Sequence, residues 1–338
     1  MKYAPVMIPT LCRYDKLVRC IESLRKNSWA KYTEVYVAVD YPSKESHWNG
    51  YNRICEYLEQ DFLEFKAMHI IKRTNNYGAA SNCQALREKV LESHDRFIYT
   101  DDDIEFSPNF LEYIDKTMEY YDDDPDVIAV CGYSYPLEWK VSSGSNIFKS
   151  TTGCFTWGTG FWKNKYTLLR SELVNGVLRA EYEKGNRNLW KRKLIDARYI
   201  EFLGLGISKE KGLLDKASDV GIGIYMELFD KYSVIPVLSK ARNYGFDGSG
   251  VVCQSIESDV FAFNASEYDY QNQEIDNENQ FEVYPDKLQL DADNKKLWNE
   301  FDCRKNIRSQ VFILNMKHIL LTLLGEEIYE KVKRIIRR

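Results

Sequence analysis

In the segment Arg96-Phe97-Ile98-Tyr99-Thr100-Asp101-Asp102-Asp103, a short apolar run of strand length passes directly into three consecutive carboxylates. Like charges a few ångströms apart raise one another's pKa, so a carboxylate run at the end of a buried strand is costly unless a cation neutralises it. The triplet therefore reads as a metal site.

Upstream, Tyr3 to Ile8, Glu34 to Val39 and Lys66 to Lys72 repeat the form of a short strand, the first two ended by Pro or Asp. Between them Leu17, Cys20, Ile21 and Leu24 recur at helical spacing, as do Ala79, Cys83, Leu86 and Val90. The resulting βαβαβαβ order predicts an α/β fold with a mostly parallel sheet flanked by helices and a ligand crevice beyond the carboxyl ends of the strands. Asp40 and the aspartate triplet both fall at such ends.

Downstream, Ser107 is expected to cap a helix with Pro108 in its first turn and Phe110, Ile114 and Met118 on one face. A second acidic triplet, Asp122 to Asp124, precedes Pro125 and a strand over 127–131, and reads as a solvated turn rather than a site. From Ser142 to Gly160 the chain is rich in Gly, Ser and Thr, and 163–213 is charged and helical. Glu267 to Asp293, polar and acidic, is expected to be a long surface excursion. Near the end, Ile328, Tyr329, Val332, Ile335 and Ile336 form a stripe opposed by Lys331, Lys333, Arg334, Arg337 and Arg338. Such a helix suits an anionic membrane surface, its own domain or a second subunit of a homodimer.

With 46 basic and 51 acidic residues, net −5, the 338-residue chain would repel a polyanion, which excludes nucleic acid as the main partner. Its eight cysteines show neither CxxC pairs nor a disulfide-framework spacing. Reduced thiols, no signal peptide and no segment long enough to span a bilayer predict a cytoplasmic protein, including one at the inner face of the membrane. Aromatic residues, 14% of the chain, suit stacking on a base or sugar ring.

Pro9-Thr10 with Arg13, Asp40 after the second strand, and Thr100-Asp101-Asp102-Asp103 together resemble a GT-A fold glycosyltransferase that uses nucleotide sugars, of the large inverting bacterial class. The acidic triplet followed by Pro108-Asn109-Phe110 is similar, more distantly, to the N-acetylglucosaminyltransferase I family. The likeness covers roughly residues 3 to 253. It implies a nucleotide-sugar-binding half over 1–135, an acceptor-binding and catalytic half over 136–255, a polar excursion over 256–300 and a C-terminal helical region over 301–338.

The resemblance also implies roles. Mn²⁺ or Mg²⁺ would neutralise the departing diphosphate, with Asp103 as direct ligand, Asp101 reaching the metal through water or the ribose, and Asp102 orienting sugar or ribose. Asp40 would receive uracil N3 or the ribose, or else cap an Asx turn. Arg13 would reach base or phosphate, and Arg73, Asn76, Gly78 and Asn82 would line the nucleotide. Trp157, Gly158 and Gly160 would floor the sugar, and Asp247, in the glycine-rich 243–250 loop, would complete the metal shell. The catalytic base falls to Asp219, with Asp215 as the reserve, although either serves equally as a helix cap. The expected activity is transfer from a UDP-sugar to a glycan or lipid-linked acceptor in cell-surface polysaccharide or glycolipid synthesis. A sugar-phosphate nucleotidyltransferase and a non-catalytic sugar-binding module are the competing readings.

Overall fold

The computed structural model describes residues 1–151, 153–183, 219–249, 272–288 and 291–302, with single helical positions between 312 and 331. Its first half alternates as expected: β1 (Val6–Thr10), α1 (Tyr14–Arg25), β2 (Glu34–Val39), α2 (Trp48–Tyr57), β3 (Ala67–Lys72), α3 (Ala79–Leu91) and β4 (Arg96–Tyr99). Then come β5 (Ile104–Phe106), α4 (Phe110–Tyr120), β6 (Val127–Cys131), β7 (Ile147–Ser150), β8 (Thr159–Trp162), α5 (Lys163–Val174) and α6 (Val177–Glu183). The remaining described elements are α7 (Asp219–Phe229), β9 (Tyr232–Pro236), β10 (Ala241–Asn243) and α8 (Asp291–Asp302).

Eight strands form one sheet in the order β3-β2-β1-β4-β8-β6-β9-β7. β3, β2, β1 and β4 are parallel, with Val6 opposite Val35 on one side and Ile98 on the other. Beyond β4 the sheet becomes mixed, because β8 runs antiparallel to both β4 and β6, and β7 runs antiparallel to β9. The expected mostly parallel sheet is thus confined to the N-terminal half, β3-β2-β1-β4, and the other half is mixed.

Strand alternation sorts the core onto two faces. Val6, Ile8, Val35, Val37 and Ile98 face α1, α2 and α4, whereas Met7, Tyr36, Ala38 and Phe97 face α3, α5 and α7. This is a three-layer α/β/α arrangement in which burial of each large aliphatic side chain contributes roughly 1.5–3 kcal/mol. The helix expected to begin at Ser107 begins at Phe110 instead, with Asn109 in the N-cap position. Ser107 is occupied elsewhere: its N–H donates to the Lys240 carbonyl and its hydroxyl to the Asn109 side chain.

Residues 272–288, within the stretch expected to be a surface excursion, are strapped to the domain. Phe281 is buried in the core, the amide of Asn109 donates to the Gln280 carbonyl, and Asp286 accepts from Ser142. All six described cysteines are free thiols. Among the described residues no helix is long and apolar enough to cross a membrane.

Asp115 of α4 is fully buried. One oxygen accepts from the Ala4 N–H at 2.8 Å and the other has no partner. Burial pushes its carboxyl up to about 8, against the Ala4 hydrogen bond and the charge of Arg96. The folded chain therefore holds a proton that the unfolded chain, with an Asp pKa near 3.9, releases, so stability falls as pH rises from about 4 to 8. Asp115→Asn keeps the acceptor and removes this slope. Between pH 5 and 7.5 the wild type is expected to lose at least about 1 kcal/mol more than the variant by urea unfolding; parallel pH trends would refute the assignment.

Candidate active site

β1 lies between β2 and β4, so the strand order reverses between β1 and β4. In open α/β sheets the crevice beyond the carboxyl ends at such a reversal is where ligands bind. Thr10 ends β1, and Asp101 to Asp103 follow β4 by one residue. The look-alike triplet sits at the other end of the same strand. There Arg96, the first residue of β4, approaches Asp122 at 3.3 Å, and Asp124 pairs with Lys149 at 3.4 Å.

The three aspartates of the crevice have different surroundings. Asp102 is buried and accepts from the Thr10 hydroxyl at 2.6 Å and from the Arg13 guanidinium. Asp103 is buried and takes the other Arg13 nitrogen at 2.7 Å. Asp101 accepts from the Tyr99 hydroxyl at 2.7 Å. Burial and the neighbouring Asp103 charge push Asp101 up to about 7, although the Tyr99 hydrogen bond opposes them. Burial also raises Asp103, against the pull of Arg13. Arg13 would be lowered by its own burial, but Asp102 and Asp103 outweigh that and keep it charged.

The glycine-rich loop arrives through a small antiparallel ribbon in which β10 pairs with β5, Asn243 opposite Ile104. The Tyr244 N–H donates to the Asp103 carbonyl at 2.9 Å. A Cβ on Gly245 would lie 2.3 Å from Asp103 Oδ2, so glycine is required there by contact. Asp247 does not join the aspartates: it pairs with Lys16 at 2.7 Å and accepts from Ser249. Burial raises it, but the Lys16 and Ser249 hydrogen bonds outweigh that and hold its carboxyl at about 2. The expected place of Asp247 in a metal shell gives way to a tether between this loop and α1.

On the β2–β3 side, Asp40 is buried and its two oxygens accept from the N–H groups of Tyr41, Tyr77 and Gly78 at 2.8 to 2.9 Å and from the Asn76 amide at 3.3 Å. Those donors fill its acceptor positions, so here it clamps the 76–78 turn rather than presenting itself to a base. Asn76 also donates to the Tyr41 carbonyl at 2.6 Å. Gly78, at φ +76°, has open space around its missing Cβ, so backbone conformation rather than close approach selects it. Asn82 is buried between the Ala38 carbonyl and the Nε of Arg73. Arg73 keeps one buried guanidinium nitrogen without a partner, and its guanidinium carbon lies 4.8 Å from the Tyr77 ring centroid.

Gly158 and Gly160, expected to admit a sugar, are selected by packing. A Cβ on the first would lie 2.5 Å from Phe106 and on the second 2.7 Å from the sulfur of Met118. Trp157 is half-buried in an aromatic cluster, 4.6 Å from Tyr133 and 5.9 Å from Phe246 of the glycine-rich loop. Asp219 is exposed in the first turn of α7. The buried Cys154 thiol, three residues before Trp157, is raised by its hydrogen bond with Cys131, by burial and by the charges of Cys131 and Asp219. Asp215 lies outside the described residues.

Tyr99 and Lys16 escaped the sequence reading, and Gly245 entered it only as part of the glycine-rich 243–250 loop. Tyr99 stands two residues before Asp101, and Lys16 lies one turn beyond Arg13. Those spacings were visible signals, whereas the contact of Gly245 with Asp103 is made by strand pairing distant in sequence.

Among the described residues no group of three or more His, Cys, Asp or Glu side chains is arranged to hold a metal ion. Mg²⁺-type sites characteristically use one or two carboxylates plus substrate phosphates rather than an all-protein cage. Asp103 and Asp101 fit that description: both are hard oxygen donors whose negative charge is incompletely compensated. Asp102, engaged through both oxygens, does not.

Residues 6–176 match the family described as Glycosyl transferase family 2. No curated protein sequence matches the chain. Among solved structures, mannosyltransferase PcManGT from Pyrobaculum calidifontis, in complex with GDP-Man and Mn²⁺, is 17% identical over 51% of this chain and 46% of its own, with TM-score 0.35. S. aureus TarS 1-349 with UDP-GlcNAc is 16% identical over 43% of this chain and 39% of its own, with TM-score 0.29. GalNAc-T7 with UDP, GalNAc and Mn²⁺ is 12% identical over 49% and 36%, with TM-score 0.34. The chain thus spans less than half the length of each of these structures.

Gly245→Ala is expected to displace either the loop or the Asp103 carboxylate and to lower stability, read by urea unfolding, by about 1–3 kcal/mol. Unchanged stability would show that the loop and Asp103 do not pack as tightly as this contact requires.

Proposed function

The chain belongs to glycosyl transferase family 2, and from that membership we propose that it transfers a sugar from a nucleoside diphosphate sugar to a glycan hydroxyl, with inversion. The observation that carries this reading is the clustering of Thr10, Arg13 and the three aspartates at the strand-order reversal. The donor is a UDP-sugar, with its diphosphate beside Asp101 and Asp103. The partnerless nitrogen of Arg73 is a buried donor awaiting an acceptor, which the nucleotide supplies. Trp157 offers an aromatic face to the C–H groups of the sugar.

Asp103 and Asp101 are the residues that would hold Mn²⁺ or Mg²⁺, and the ion would supply neutralisation of charge on the leaving diphosphate. Arg13 keeps Asp102 and Asp103 in fixed orientations, so little rearrangement is needed as charge develops. Asp219 takes the proton of the acceptor hydroxyl while that oxygen forms its bond to the anomeric carbon. The bond to the diphosphate oxygen breaks on the opposite face, and the diphosphate leaves with the bonding electrons. The product belongs to a cell-surface polysaccharide or glycolipid, in keeping with the resemblance to bacterial inverting enzymes. Leu11, Cys12 and Arg13 alone separate β1 from α1, which leaves no room for the glycine-rich phosphate loop of a nucleotidyltransferase.

A screen of nucleotide sugars with Mn²⁺, read as thermal stabilisation and as release of nucleoside diphosphate, tests the class and names the donor. Pyrophosphate release from UTP and a sugar phosphate would instead identify nucleotidyl transfer. With the donor known, Asp219→Asn is expected to lower kcat by about 10²–10⁴-fold while leaving donor affinity unchanged. Asp103→Asn is expected to abolish stimulation by Mn²⁺ and to cost about 10²–10³-fold. Turnover indifferent to EDTA and to Asp103→Asn would remove the metal from the mechanism.

A further inference from the structure

The C-terminal stretch carries an apolar face that the domain leaves uncovered. Phe312, Met316, Ile319, Leu320 and Leu323 are helical and exposed, Phe312 by 65% and Leu323 by 76%. At 3.6 residues per turn these five positions fall within an arc of roughly 100°, the width of a face that ordinarily packs against something apolar. Gly325, at φ +69°, follows this face, and Tyr329 beyond it is buried.

Charge is segregated along the same chain. Residues 303–338 carry nine Lys and Arg against three Asp and Glu, although the whole chain is net −5. Five of those cations, Lys331, Lys333, Arg334, Arg337 and Arg338, lie in the last eight residues. An acidic catalytic domain ending in a cationic, apolar-faced segment has the charge and hydrophobic pattern of an interfacial anchor. Neither feature depends on what the active site transfers.

We propose that the C-terminal stretch binds an anionic lipid surface, the exposed side chains of Phe312, Met316, Ile319, Leu320 and Leu323 entering the acyl boundary and the net positive charge of the stretch drawing it to the headgroups. A basic, apolar-faced segment of this kind lies in the interface plane with its apolar face at the acyl boundary. Each Lys or Arg near such a surface adds attraction that falls off within a Debye length, so binding must weaken with salt.

The test is sedimentation of the full chain with phosphatidylcholine vesicles, alone or containing about 30 mol% phosphatidylglycerol. Co-sedimentation only with the anionic vesicles, reversed by about 0.5 M NaCl, is expected. The double variant Leu320→Glu/Leu323→Glu should bind at least tenfold more weakly, as roughly expected from moving charge into the acyl boundary. If that variant loses its circular dichroism spectrum, Arg337→Glu/Arg338→Glu keeps the apolar face and must still lose the preference for anionic vesicles. Equal binding to both vesicle types, or undiminished binding by the well-folded variants, would overturn the proposal. So would a dimeric mass in gel filtration that Leu320→Glu/Leu323→Glu reduces to the monomer, which would assign the face to a second copy.

Discussion

The site rests on one ion bridge, the guanidinium of Arg13 spanning Asp102 and Asp103. Three consecutive carboxylates at the end of a buried strand cannot all remain charged without compensation. A single planar cation with paired donors compensates two of them and fixes their orientation, which a lysine, with its compact point charge, would not do as well. The third carboxylate, Asp101, lies outside this bridge and is the one driven up to about 7. The bridge also joins β1 to β4 where the sheet changes direction, so the most strained electrostatics coincide with the crevice that topology opens.

Much else is arranged around keeping that corner in place. The β5–β10 ribbon turns the chain immediately after Asp103 and brings Tyr244 and Gly245 back onto it. Lys16, in the first turn of the helix that Arg13 precedes, holds the far side of the loop through Asp247, while the Arg19 guanidinium lies 4.0 Å from the Tyr244 ring centroid. The first two turns of α1 thus address the acidic triplet and the loop above it together. The strap of residues 272–288 supports the ribbon from outside, since its Gln273 carbonyl accepts from Arg242 at 2.8 Å.

Local pattern disclosed the N-terminal, parallel half almost completely. The strand at Glu34 to Val39 and the one at Val127 to Cys131 have the expected bounds, because continuous apolar runs closed by Asp or Gly are a strong local signal. The other half was hidden. β7 and β8 have four residues each, inside a stretch of Gly, Ser and Thr, and their identity as strands comes from partners rather than from their own composition. The motif residues were found, but several of their partners were not. Asp40 and Asn82 were legible as polar residues near a crevice; that their hydrogen bonds turn inward depends on contacts 37 and 44 residues away. Gly158 and Gly160 likewise took their meaning from Phe106 and Met118, which no motif mentions.

A distinction follows between groups that build the crevice and groups left for a ligand. Asp40, Asn82 and Asp102 have their side-chain polar atoms committed within the chain, Arg13 has both terminal nitrogens committed, and Asp247 is committed to Lys16. Groups held in this way cannot turn to a ligand without breaking bonds already formed, yet they fix the geometry of those that can. What remains is one nitrogen of Arg73 on the β3 side and, on the β4 side, the second oxygens of Asp101 and Asp103, whose first oxygens face Tyr99 and Arg13. A ligand that satisfied these groups would bear hydrogen-bond acceptors toward Arg73 and bring a cation or cation-neutralised anion to the aspartates. The nucleoside diphosphate sugar proposed above, with a metal ion, would offer both, and the inward-turned residues hold in place the groups it would meet.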